Sequence, residues 1–138
     1  MKTDFLDAHE RHWKDAQLLF QNQRWANADH LFGMAAECGL KRLMQVFGMP
    51  YDTGKDRPQE RDDQQHINKI WDRFESYRSG HAQGASYVLP VPDLFNNWNV
   101  SQRYAHQSEF NQVYTELHRQ GADAVQALVR QARLEGLI

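Results

Sequence analysis

A chain of 138 residues with 41% hydrophobic residues, 25% charged residues and a net charge of −2 has the composition of one globular domain, residues 1–138. That length buries a sizeable core without cross-links. The near-neutral balance argues against a broad basic surface for indiscriminate nucleic-acid binding, but leaves room for a local basic cleft.

A single cysteine, Cys38, excludes an internal disulfide and any multi-cysteine zinc site. Its position inside a helical pattern makes it a packing residue rather than a nucleophile. No apolar run is long enough to span a bilayer, and the amino terminus MKTDFLDAHE is too polar for a secretory signal. The expectation is a cytoplasmic protein without membrane contact.

The first helix is expected over Thr3–Gln21, with Phe5, Leu6, Ala8, Trp13, Ala16, Leu19 and Phe20 facing one way. His9 and His12 fall within its apolar arc and read as histidines at the edge of the core. His9-Glu10-Arg11-His12 is one residue short of the HExxH metalloprotease pattern, and no further ligands stand at metal-binding spacing. A polar turn, Asn22–Arg24, leads into a central helix over Trp25–Gly48, capped at Asn27 and stopped by Gly48 and Pro50. Ala28, Leu31, Phe32, Ala35, Gly39, Leu43, Val46 and Phe47 share its wide apolar face. Ala28, Ala35 and Gly39 mark a line of close approach. Asp29, His30, Glu37, Lys41 and Gln45 take the opposite face, where Glu37 and Lys41 form an i,i+4 ion pair.

Residues 50–65 carry mixed charge and few apolar side chains and read as a solvated loop. The third helix, His66–Ser79, buries Ile67, Ile70, Trp71, Phe74 and Tyr77 and ends at Gly80. A long connection to about Asn97 contains YVLPVPDLF, apolar enough to pack against the body. The fourth helix is expected from Asn99–Ser101 to Gln120, burying Phe110, Val113, Tyr114 and Leu117, with Gly121 as its breaker. A short last helix follows from Asp123, with Ala124, Val125, Leu128, Val129 and Ala132 inward. No convincing strand pattern or internal repeat is present. The fold class is all-α, a four-to-five-helix antiparallel bundle.

The chain has no glycine-rich phosphate loop, no GxSxG elbow and no Glu-x-x-His. The informative stretch is WNVSQRYAHQSEF, Trp98–Phe110. Carrying the buried stripe of the fourth helix backward from Phe110 reaches His106 and Arg103, which face each other at i,i+3. A guanidinium and an imidazole in a helix's first turn make an anion site. The competing reading pairs Arg103 with an acidic residue such as Glu37 as a structural tie. Trp98 and Tyr104 read as packing residues.

ADHLFGMAAECGLKRLM resembles the second helix of HEPN domains (higher eukaryotes and prokaryotes nucleotide-binding), through Ala28, Leu31, Glu37, Leu40 and Lys41, offset by one residue. HINKIWDRF is similar to that family's third helix, which often opens on a histidine, here His66. SQRYAH resembles the Arg-Tyr start of its fourth helix, here Arg103 and Tyr104. The resemblance implies a HEPN-like bundle that commonly dimerises, acting on or binding RNA or nucleotides in a bacterial defence or toxin–antitoxin system.

Many such proteins are metal-independent endoribonucleases with an Arg-x(4–6)-His motif. Arg103 and His106 stand too close for it, whereas Arg61 and His66 satisfy the spacing in a mixed-charge loop. On this resemblance His106 or His66 serves as general base and Arg103 stabilises the phosphorane, without metal or cofactor. Arg103, Tyr104, Glu37 and Lys41 are the expected ligand contacts. The alternative is a non-catalytic helical interaction module: an immunity protein, an antitoxin or a nucleotidyltransferase partner.

Overall fold

The structure is a computed structural model describing residues 1–90 and 92–138. Val91, part of the apolar run expected to pack down, lies outside the described residues. Four α-helices dominate the described residues: α1 (Phe5–Gln21), α2 (Trp25–Val46), α3 (Ile67–Ser79) and α4 (Gln112–Leu134). A two-stranded hairpin, β1 (Tyr51–Asp52) with β2 (Arg57–Pro58), is the whole of the described sheet. The all-α class holds. No helix among the described residues is long and apolar enough to cross a membrane.

Local chemistry explains the helix limits. Asp4 caps α1 by accepting from the amides of Leu6 and Asp7, each at 3.0 Å. α2 starts two residues before the expected Asn27 cap, with Arg24 at the cap position and no side-chain cap. It ends at Val46, and Gly48 follows at φ 97°, a conformation that favours glycine. Phe32, Ala36, Leu40, Leu43 and Met44 of α2 are fully buried among Ile67, Ile70 and Phe74 of α3 and Val125 and Ala132 of α4.

The helices do not alternate up and down. Glu10, Trp13 and Gln17 of α1 meet Arg133, Asp123 and Arg119 of α4, an antiparallel progression. Along α2, by contrast, Trp25, Asp29 and Gly39 meet Thr115, His118 and Val125 of α4 in ascending order. Glu37 and Phe47 likewise meet His66 and Phe74, just before and within α3. So α3 and α4 run parallel to α2, and the expected antiparallel arrangement holds for α1 alone. Parallel neighbours need a return path, and residues 47–66 and 80–111 supply the two.

Those return segments are more ordered than a solvated loop. Residues 61–64 form a 3-10 turn that buries Asp63, whose carboxylate accepts from Arg73 Nε at 2.6 Å and from the Tyr77 hydroxyl at 2.5 Å. The fourth helix also differs from expectation. Residues 100–104 and 107–109 are separate 3-10 turns, and α4 begins only after Asn111, which caps it through Tyr114 N.

The buried stripe of α4 is Thr115, His118, Ala122, Val125, Leu128, Val129 and Ala132, while Val113 and Leu117 are 77% and 46% exposed. The inward polar residues are bonded there, so apolarity alone points to the wrong face. α4 also runs straight through Gly121 and Asp123. Asp123 is no cap; its carboxylate accepts from Trp13 Nε1 and Gln17 Nε2.

Gly121 is needed for space: a Cβ there would lie 2.4 Å from the ring of buried Phe95. If Gly121 were a stop, alanine would favour the helix by about 1 kcal/mol. Instead, Gly121→Ala should destabilise by about 1–3 kcal/mol through overpacking. Urea midpoints of the two proteins check the sign.

Candidate functional site

His30, Glu37 and Lys41 lie at i, i+7 and i+11 on α2, within about 40° of one another around the helix. They form one stripe, which faces α1, the start of α3 and the segment carrying Trp98 and Arg103. Glu37 and Lys41 pair at 2.8 Å with only 8% and 6% of their side chains exposed, so the expected ion pair exists but is buried. The second Glu37 oxygen meets Nδ1 of His66 at 3.0 Å, and the His66 side chain is 44% exposed. Burial pushes the Glu37 carboxyl up, but the His66 hydrogen bond and the Lys41 ammonium outweigh it, and the net shift is downward. Glu37 is therefore a buried carboxylate that orients an exposed imidazole.

Trp98 forms the floor beside it. Its ring stacks on His30 at 5.7 Å between centroids and lies 6.5 Å from that of His66. Gly33 admits the indole, since a Cβ there would lie 2.1 Å from Trp98 Cε2. Trp98 Nε1 donates to the Asp29 carbonyl at 3.2 Å.

His30 is half-buried, and its Nδ1 is closed off from solvent without a partner. Such atoms are rare and call for a specific explanation. Burial lowers the His30 pKa first, and the positive charge of Arg103 lowers it further, with His66 adding to the effect. His12 on α1 is lowered mainly by burial and also feels His30 and Glu37.

Asp29 locks the approach to this site. Its carboxylate meets His118 Nδ1 at 2.6 Å and accepts from Gln102 Nε2 at 2.5 Å, with Asp29 and His118 almost wholly buried. His118 Nε2 meets Asn97 Oδ1 at 2.9 Å. Gln102 is also the distal half of a capping box with Asn99, which shapes the 3-10 turn presenting Arg103. Residues 97–102 are thus tied to α2 and α4 at three points.

No family model, curated protein or solved structure matches this chain. The site is therefore read from its own residues.

Of the residues expected from the sequence, Glu37, Lys41 and His66 come together, and Arg103 is close enough for its charge to act on His30. Arg103 and His106 do not occupy the inward face of a helix. Both are exposed, because the capped turns at Asn99 and His106 replace the helix whose phase would have turned them inward. Arg103 is not tied to Glu37, whose oxygens are taken by Lys41 and His66. Its guanidinium lies 4.9 Å from the Tyr104 ring centroid, and Tyr104 is 79% exposed. His106 Nδ1 meets the Ser108 hydroxyl at 2.9 Å. Arg61 is exposed and shares no hydrogen bond with His66 among the described residues.

His12, Trp98, Asp29 and His30, expected at the core edge, in packing and on the opposite face of α2, complete the arrangement. The i, i+7, i+11 spacing from His30 was the available signal. Buried Cys38 has its thiol pushed up to about 12, in keeping with a packing role. No three His, Cys, Asp or Glu side chains among the described residues converge as a metal site. The site brings one guanidinium and two imidazoles beside a buried carboxylate.

His9 lies outside this site, fully buried, with Nδ1 2.7 Å from the Ala35 carbonyl and Nε2 unpaired. Burial holds its pKa below the ordinary 6.5, against the smaller pulls of Ala35 and Glu10. The unfolded chain then binds the extra proton more readily, so His9's contribution to stability falls as pH drops through 6.5. The difference in urea midpoint between the parent and His9→Gln should narrow from about pH 7.5 to about pH 5.5. A constant difference would show that His9 does not titrate this way.

Proposed function

We propose that the chain is a HEPN-like protein that binds single-stranded RNA at the His30–His66–Arg103 site and cleaves it without metal. The observation that carries this reading is the hydrogen bond between buried Glu37 and exposed His66 beside His30 and Arg103. A carboxylate on Nδ1 fixes the tautomer in which Nε2 is the free base. In the proposed reaction His66 Nε2 takes the proton from a ribose 2′-OH, and the 2′ oxygen attacks the adjacent phosphorus. The 5′ oxygen leaves with a proton from solvent, the proton taken up by His66 returns to solvent, and Arg103 stabilises the charge on the phosphoryl oxygens. The products are a 2′,3′-cyclic phosphate and a 5′-OH end.

The resemblance to HEPN proteins supports this reading through Glu37, Lys41, His66, Arg103 and Tyr104. It also makes a homodimer the expected unit and a bacterial defence or toxin–antitoxin system the expected setting. The second reading, a non-catalytic interaction module, draws on the exposed Val113 and Leu117 of α4, apolar residues at i,i+4 spacing.

Incubating the protein with single-stranded RNA and EDTA should yield cyclic phosphate ends, and His66→Ala and Arg103→Ala should each abolish them. Because Arg103 is exposed, Arg103→Ala should change stability by no more than about 0.5 kcal/mol. Folded parent protein that leaves the RNA intact would remove the catalytic reading. Failure to bind the RNA as well would favour the interaction module.

A further inference from the structure

Beside Arg103 lies a cleft of about 480 Å³, walled by the turn into α2 and by residues from the 102–108 segment. Arg24, Asn27, Gln102, Arg103, His106 and Ser108 supply its polar wall, and none of its lining residues is acidic. That is notable in a chain with 18 acidic and 16 basic residues. The guanidiniums of Arg24 and Arg103 have no carboxylate partner among the described residues, as is also true of Arg42, Arg57, Arg61 and Arg130, but these two share one cleft. The volume lies within the range of small-molecule sites. Asn27 on this wall is one helical turn from His30, and Arg103 belongs to both places.

We propose that this cleft is the subsite for the nucleotide flanking the phosphate bound at His30, His66 and Arg103. This rests on the RNA-binding reading above and deepens it. Arg24 takes the flanking phosphodiester, with Arg103 as the shared cation between the two phosphates. The side-chain amides of Asn27 and Gln107 offer donors and acceptors to the edge of an unstacked base, the usual mode of single-strand recognition. The amides of Trp25, Ala26 and Asn27, without acceptors among the described residues, add donors to the same wall.

The test uses full-length protein and fluorescein-labelled 2′-O-methyl oligouridylates of two, three and four nucleotides, which cannot be cleaved by 2′-OH attack. Anisotropy should show affinity rising roughly tenfold from the dinucleotide to the trinucleotide, the worth of one charge-assisted contact. Arg24→Asp should abolish that rise while leaving dinucleotide affinity within about twofold. The aspartate also supplies the missing cap of α2, so the variant should unfold at higher urea than the parent, and lost binding cannot be put down to lost fold.

Equal gains with length in parent and Arg24→Asp would overturn the subsite while leaving dinucleotide binding at His30 and His66 standing. Absence of dinucleotide binding in the parent would overturn the RNA-binding reading and the subsite with it.

Discussion

The Asp29 carboxylate is the interaction on which the site's geometry depends. It is fully buried, and its two oxygens are engaged by His118 of α4 and Gln102 of the 3-10 turn, while its carbonyl takes the Trp98 indole N–H. Two charged-type residues buried without such partners would cost several kcal/mol. With them, the same atoms fix three separate chain segments relative to one another. Trp98 becomes the floor under His30, and Arg103, next to Gln102, is held near the α2 stripe.

This arrangement is a consequence of the topology. Because α4 runs parallel to α2, the segment between α3 and α4 must travel back along the bundle, and it delivers Trp98 and Arg103 to the N-terminal half of α2 and Phe95 to Gly121 of α4. Gly33 and Gly121 are the spaces that let this segment sit tight, one receiving Trp98 and the other Phe95. An up-and-down bundle with short loops would not bring Arg103 to His30. The shorter return before α3 does the same for His66, bringing it against Glu37.

The sequence made α1, α3 and the C-terminal end of α2 legible, because in each an apolar stripe of helical period coincides with a cap or a glycine. It misled wherever polar residues go inward. Asp29, Glu37 and Lys41 read as the water face of α2, yet all three are buried and bonded. The partners of the two carboxylates lie far along the chain: His118 is 89 residues from Asp29, and His66 is 29 from Glu37. No local pattern reveals such pairings.

The same blindness displaced the start of α4. Thr115 and His118 are polar, so an apolar pattern points to Val113 and Leu117 as the buried stripe instead. Its backward extension then turned Arg103 and His106 inward when they are exposed. Of the candidate site, Glu37, Lys41, His66 and Arg103 could be named from the sequence. The i, i+7, i+11 spacing places His30 on the stripe, but its role is not legible, because that depends on Trp98 and Arg103 returning from 68 or more residues away, a distance only the fold closes.

The central claim is that His30 and His66 face one bound phosphate while His9 and His118 serve the fold. Proton NMR of the histidine Cε1–H signals during titration with a 2′-O-methyl dinucleotide tests it most directly. The account predicts that the His30 and His66 signals shift together as the ligand binds, that the His30 pKa rises beside the added negative charge, and that the His9 and His118 signals stay in place. Unmoved His30 and His66 signals at saturating ligand, or equal shifts of all four, would contradict it.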